Sequence, residues 1–180
     1  MSTKEQTKNR VAIAGQVIDA ETKLAIPGAL VEITQMPEKF KNWLDLHALQ
    51  YGKSWEKIVK RPDRTITAID GCFYFVDFPY TDECYTLTVS LPSAGTRYGV
   101  ANSEAIKVVY SNNGKITWTP IGLPPTAIKG RITDSKNCPL FMAKVQVDGS
   151  SESAFSDIDG NYLLHGLESM QTTTKENCHC

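Results

Sequence analysis

The strongest constraint on this chain is that it writes one pattern twice. "IAGQVIDAETKLAIPGALVEI" (13–33) lines up with "IKGRITDSKNCPLFMAKVQV" (128–147), and "AIDGCFYF" (68–75) returns as "DIDGNYLL" (157–164). Ile13 matches Ile128, Gly15 matches Gly130, Asp19 matches Asp134, Ala29 matches Ala143 and Val31 matches Val145. Each copy reads as a strand of alternating apolar residues, a polar turn, a proline-marked bend and a second alternating strand. Self-similarity of this kind predicts two copies of one supersecondary unit. Short strands separated by Gly, Pro, Asn and Asp predict an all-β fold of small antiparallel sandwiches. A chain of 180 residues has room for two such units.

The repeated Asp-Gly invites a metal reading, because Asp157, Asp159 and Asn161 alternate beside a glycine. A helix-loop-helix calcium loop needs oxygens at positions 1, 3 and 5, glycine at 6 and glutamate at 12. Counting from Asp157, the glycine falls at position 4 and the run after it is hydrophobic. That spacing cannot wrap the ion. Asp70-Gly71 and Asp159-Gly160 therefore read as structural turns, with both residues of each pair tolerating positive φ in a tight hairpin. Beyond the first turn, Phe73 and Phe75 should share one strand face, and Tyr85, Leu87 and Val89 one face of the next.

The ordered pieces Gly15-Gln16-Val17-Ile18-Asp19, Pro27-Gly28-Ala29-Leu30-Val31, Asp70-Gly71-Cys72-Phe73-Tyr74-Phe75 and Tyr85 through Ser90 resemble the carboxypeptidase regulatory-like module. That module is a transthyretin-like (prealbumin-like) β-sandwich. The resemblance covers 11–124 and, in part, 126–167. It implies a non-catalytic accessory or binding module, of the kind found beside peptidases, in adhesins and on surface or tail-like assemblies. The expected organisation is a flexible tail over 1–10, a first module over 11–124, an incomplete second module over 125–170 and a C-terminal tail over 171–180. The short linker "LPPT" (123–126) is expected to stiffen the connection.

Comparing the copies isolates an insertion. Ala29 to Gly71 is 42 positions and Ala143 to Gly160 is 17, so the first copy carries 25 more, over 37–61. Phe40, Trp43, Leu44, Ala48, Tyr51, Trp55, Ile58 and Val59 fall at steps of three and four, the spacing of one helical face. Gly52 is expected to divide the segment into two helices, with Pro37 in the first turn of one, Ser54 capping the other and Pro62 limiting its end. The aromatic stripe can cover a sheet, or it can dock on a partner with its basic rim (Lys53, Lys57, Lys60, Arg61). The candidate partner-binding residues are Trp43, Tyr51, Trp55, Lys57 and Arg61, because large aromatics and arginine are favoured interface anchors.

Motif chemistry is sparse. His47, His165 and His179 belong to no H-E-x-x-H or related pattern, and no nucleophile elbow, phosphate loop or dinucleotide fingerprint occurs. The expectation is a protein that is not an enzyme and takes no cofactor or metal. Cys178, His179 and Cys180 are three soft ligands with no fourth nearby, which fits a polar tail better than a closed zinc site. A net charge of −1, from 19 basic and 20 acidic residues spread along the chain, argues against nucleic acid. No apolar leader or membrane-length stretch is present, so the expected location is the cytoplasm, with all five cysteines (Cys72, Cys84, Cys138, Cys178 and Cys180) as free thiols.

These readings favour a structural or adaptor protein with protein partners. The resemblance extends this to a component of a phage-tail-like contractile particle. The alternatives are a carbohydrate- or peptide-binding module, using Arg97 and Tyr98 on "PSAGTRYGV" (92–100), or a regulatory subunit of a separate enzyme. The second copy stops about three strands short of the first, since "GLESMQTTTKENCHC" has no alternating apolar run. Its open sheet is expected to be covered by the first module, by self-association or by a strand from a partner.

Overall fold

A computed structural model describes residues 11–58, 61–78, 83–108, 118–149 and 151–168. The fold is mostly β. The chain divides into two compact units, one of 1–93 with 99–124 and one of 94–98 with 125–180. Among the described residues, no helix is long and apolar enough to cross a membrane.

The first unit holds strands β1 (Val11–Asp19), β2 (Leu30–Gln35), β3 (Arg64–Ile66), β4 (Cys72–Val76), β5 (Cys84–Ser90), β6 (Ala101–Asn102), β7 (Ile106–Lys107) and β8 (Trp118–Leu123). One sheet runs β4-β1-β8; the other runs β3-β2-β5-β6, with β7 also beside β5. Strand alternation decides which residues turn inward. Phe73 and Phe75 are buried while Tyr74 is exposed, and Tyr85, Leu87 and Val89 are all buried. Rings carried by the two sheets meet through Phe78, whose centroid lies 5.9 Å from Phe75 and 5.0 Å from Tyr85. Cys72 opens β4 in one sheet and Cys84 opens β5 in the other; both are free thiols, as is Cys138.

Among the described residues, the expected antiparallel arrangement holds for every strand pair but one. β8 runs parallel to β1, with Val17 opposite Ile121 and Asp19 opposite Leu123. A parallel neighbour requires a long crossover, and here the whole of β2 to β7 supplies it.

The second unit contains β9 (Ala127–Arg131), β10 (Lys144–Gln146), β11 (Ser153–Phe155) and β12 (Asn161–His165), paired as β12-β9 and β10-β11. The sequence echo is an echo of hydrogen bonds. Val17 N–H donates to Gly71 O (2.9 Å), as Ile132 N–H does to Gly160 O (2.8 Å). Asp19 Oδ1 accepts from Glu21 and Thr22 N–H, and Asp134 Oδ1 from Lys136 and Cys138 N–H. Gly15 lies opposite Phe73 and Gly130 opposite Tyr162, each glycine leaving room for the ring across from it.

A buried hydroxyl pins the bend in both units. Thr67 Oγ1 donates to Ile26 O (2.8 Å) and accepts from Ala29 N–H (2.9 Å). Ser156 Oγ donates to Leu140 O (2.6 Å) and accepts from Ala143 N–H (2.9 Å). Thr67→Val keeps the shape and strands a buried donor and acceptor, which should cost about 1–3 kcal/mol. Thr67→Ser keeps the hydroxyl and should retain most of the stability in denaturant titration; a loss for Thr67→Ser with none for Thr67→Val would place the effect in the methyl group.

The Asp-Gly turns differ from the expected hairpin. Only the glycines have positive φ, +74° at Gly71 and +78° at Gly160; Asp70 and Asp159 do not. Gly71 N–H closes a four-residue turn on Ala68 O, and Gly160 N–H does the same on Asp157 O. The flanking strands then part: β3 and β4 lie in different sheets, as do β11 and β12. Each turn is a corner between sheets, so no primed hairpin geometry is required.

Candidate interaction site

The insertion begins as helix α1 (Glu38–Tyr51), with Pro37 immediately before it and Gly52, at φ +54°, ending it. The chain continues as a single 3-10 helix, Gly52–Lys57, and Ser54 lies inside it without capping anything. Only six residues separate Tyr51 from extended Ile58, too few for a second capped α-helix.

α1 is two-sided. Phe40 and Leu44 are buried, and the Phe40 ring lies 4.6 Å from Phe78 and 5.4 Å from Tyr85, edge-on to the latter. Trp43 and His47 flank this seam half-buried, 4.4 Å apart between ring centroids. Leu46, Leu49 and Tyr51 are each more than half exposed. The alternation in "LDLHAL" already carries this signal: Leu44, Leu46 and Leu49 cannot share one helical face.

Past the helix, side chains fasten the segment to the sheet. Trp55 lies 5.8 Å from Tyr51 by ring centroid, and the Arg61 guanidinium sits 4.9 Å from the Trp55 ring, in cation–π range. Arg61 also binds Asp63 in bidentate fashion, Nε to Oδ1 at 2.9 Å and Nη2 to Oδ2 at 2.7 Å. Arg64 Nε donates to Ile58 O (2.9 Å) and its Nη2 to Glu56 O (2.7 Å). The structure thus gathers Tyr51, Trp55 and Arg61 into one stack, whereas Lys57 is exposed. Asp63 and Arg64, which sequence reasoning passed over, hold the strap. Val59 and Lys60 lie outside the described residues.

A cleft of about 700 Å³ opens along β3 and β4, lined by Trp43, Arg61, Arg64, Phe73, Tyr74 and Phe75 among others. It joins the insertion to the outer edges of both sheets, and its lining is chiefly apolar.

The remaining sequence candidates lie elsewhere. Arg97 and Tyr98 belong to the second unit. Arg97 forms ion pairs with Glu152 (3.8 Å) and Glu168 (3.3 Å), and Tyr98 bridges Pro125 half-buried. Asp70 Oδ1 accepts from Cys72 N–H (2.9 Å), which chiefly holds its carboxyl below the usual range. The matching role in the second turn falls to Asp157, not to Asp159. Asp157 Oδ1 accepts from Asp159 and Asn161 N–H, while Asp159 offers its carbonyl oxygen to Arg131 Nε (2.9 Å). Asp157 stands at the start of its turn, where the first copy has Ala68, so the acceptor moves to the end of the turn there. Among the described residues, no group of three or more His, Cys, Asp and Glu could hold a metal ion. Cys178, His179 and Cys180 lie outside them.

No known family model matches the chain, and no curated protein matches it.

Proposed function

We propose that the chain is a non-catalytic structural or adaptor protein that works through protein–protein contact. The observation that carries this reading is the two-sided α1: Phe40 and Leu44 anchor it in the core while Leu46 and Leu49 face solvent. A helix held this firmly presents its outer face without an ordering cost at the moment of binding. The repeated strand-and-corner unit supports reading both units as carboxypeptidase regulatory-like, transthyretin-like modules. The occurrence of that module family on tail-like assemblies makes a contractile particle in the cytoplasm the favoured setting. The cleft at Trp43, Arg61 and Tyr74 favours a second reading, a module that binds an extended peptide.

The double variant Leu46→Glu/Leu49→Glu tests the first reading without disturbing the anchor. Its stability should stay within about 0.5 kcal/mol of wild type, as for most surface changes. Cross-linking in native cells should then lose the partners that wild type retains. An unchanged partner set in a folded double variant would refute the role of α1.

A further inference from the structure

The two units solve the same problem to different extents, and the first shows what the second lacks. In the first unit β1 has two neighbours, β4 and β8, and β2 has two, β3 and β5. Among the described residues, β9 pairs with β12 and β10 with β11, and neither has a second neighbour. The exposures reflect this. Ile13 is 0 % exposed and its counterpart Ile128 48 %; Ile33 is 4 % and Val147 37 %; Ile26 is 5 % and Leu140 41 %. Phe75 and its counterpart Leu164 are both buried, so the second unit is folded at its centre and open at its flank.

The opening is a cleft of about 560 Å³ whose lining includes Arg131, Ile132, Lys144, Val145 and Tyr162. Their first-unit counterparts include Val17, Val31 and Phe73, which are buried. In the first unit β5 closes this place, setting Val89 opposite Val31 and Leu87 opposite Ile33. The molecule therefore contains a template for what the cleft accepts.

Charge selects among the possible occupants. Lys129, Arg131 and Lys144 replace Ala14, Gln16 and Leu30 of the first unit, and among the described residues the strands of the second unit carry no acid, with Asp148 following β10 and Glu152 preceding β11. Two copies paired antiparallel through β9 and centred on Gly130 would set Lys129 against Arg131 and bring like charges together. A strand with acidic outward residues would not.

We propose that the second unit is a β-strand acceptor for a partner protein, completed by an extended segment added antiparallel to β10. Apolar side chains at alternate positions of that segment face Val145 and Val147, and an acidic side chain lies opposite Lys144. This deepens the adaptor reading and rests on it, but the surface is separate from the exposed face of α1.

The test uses the full chain and a labelled peptide copying residues 83–92, with Cys84→Ser to remove the thiol and Ser90→Glu to place an acid opposite Lys144. Fluorescence anisotropy should show saturable binding. Val147→Asp, at an already exposed position, should weaken it about tenfold or more, since it sets a charge against the apolar strand. Lys144→Glu should also weaken it, and a peptide with lysine at position 90 should restore binding to that variant. Absence of saturable binding, or binding indifferent to Val147→Asp, overturns the proposal. So does a dimer of the chain that Val147→Asp dissociates, which would make a second copy the occupant. A gain of about tenfold on removing 169–180 would assign the cleft to the chain's own tail and overturn it equally. Leu46→Glu/Leu49→Glu should leave peptide binding unchanged, so failure here and failure of the α1 reading are distinguishable.

Discussion

Gly71→Val is expected to cost the first unit about 3 kcal/mol or more, a large share of the roughly 5–15 kcal/mol that holds a typical domain together. Two independent penalties act at this position. Gly71 has φ +74°, a region in which a β-branched side chain is strained. A Cβ there would also lie 2.5 Å from the Val17 carbonyl oxygen, which itself accepts from Ile26 N–H. The added atom therefore pushes on backbone that cannot move without breaking the bend. Thermal unfolding should show the first unit's midpoint falling by about 10 °C or more. Asp70→Ala removes only the acceptor for Cys72 N–H and should cost about 1 kcal/mol. Gly160→Val repeats the geometry in the second unit, where a Cβ meets the Ile132 carbonyl oxygen. It should disorder the second unit, read by hydrogen exchange over 126–167, and leave the first unit's transition in place. A Gly71→Val midpoint within about 2 °C of wild type would show that the corner is not constrained as the hydrogen bonds indicate. Calcium titration supplies a further check on both corners. Micromolar binding by wild type, abolished by Asp159→Ala, would overturn the turn reading, because Asp159 meets Arg131 through its carbonyl oxygen and not its carboxylate.

The strands and the repeat were legible in the sequence because they rest on local regularities. Period-two alternation placed Phe73, Phe75, Tyr85, Leu87 and Val89 inward, and all are buried. The matched positions Gly15 and Gly130, Asp19 and Asp134, and Ala29 and Ala143 occupy matching hydrogen-bonded places. What stayed hidden depends on partners distant along the chain. The direction of β8 beside β1 is set by the path of the whole first unit, which alternation does not encode. The parting of β3 and β4 after the Asp-Gly turn is likewise a sheet-level choice, and a dipeptide signal cannot distinguish a hairpin from a corner. The move from Asp159 to Asp157 has a local cause, the residue that begins the turn. At the candidate site, the spacing of Phe40, Trp43 and Leu44 indicated the inner face of α1. The strap built by Asp63 and Arg64 was not visible, because its acceptors are backbone carbonyls of Glu56 and Ile58.

Phe40→Ala is the substitution that should separate the insertion from the sandwich-like core it covers. The ring is fully buried among Trp43, Phe78 and Tyr85, at centroid distances of 5.4, 4.6 and 5.4 Å. Truncating such a side chain loses its transfer free energy and leaves a cavity, together about 3–5 kcal/mol. Relief by collapse is limited, because Phe78 packs on Phe75 and Tyr85 is paired with Ile106 across β5 and β7. Leu46→Ala and Leu49→Ala remove similar apolar groups from the opposite side of the same helix. Those residues are already in water, so each should stay within about 0.5 kcal/mol of wild type. Denaturant titration measures the contrast, and limited proteolysis locates it. Phe40→Ala should admit cleavage within 37–61 under conditions where the leucine variants resist. Should all three variants lose similar stability, α1 would be held by both faces and its outer leucines could not be a docking surface. Should Phe40→Ala alone fall, the helix is anchored on one side, and the leucines on the other contribute little to the fold.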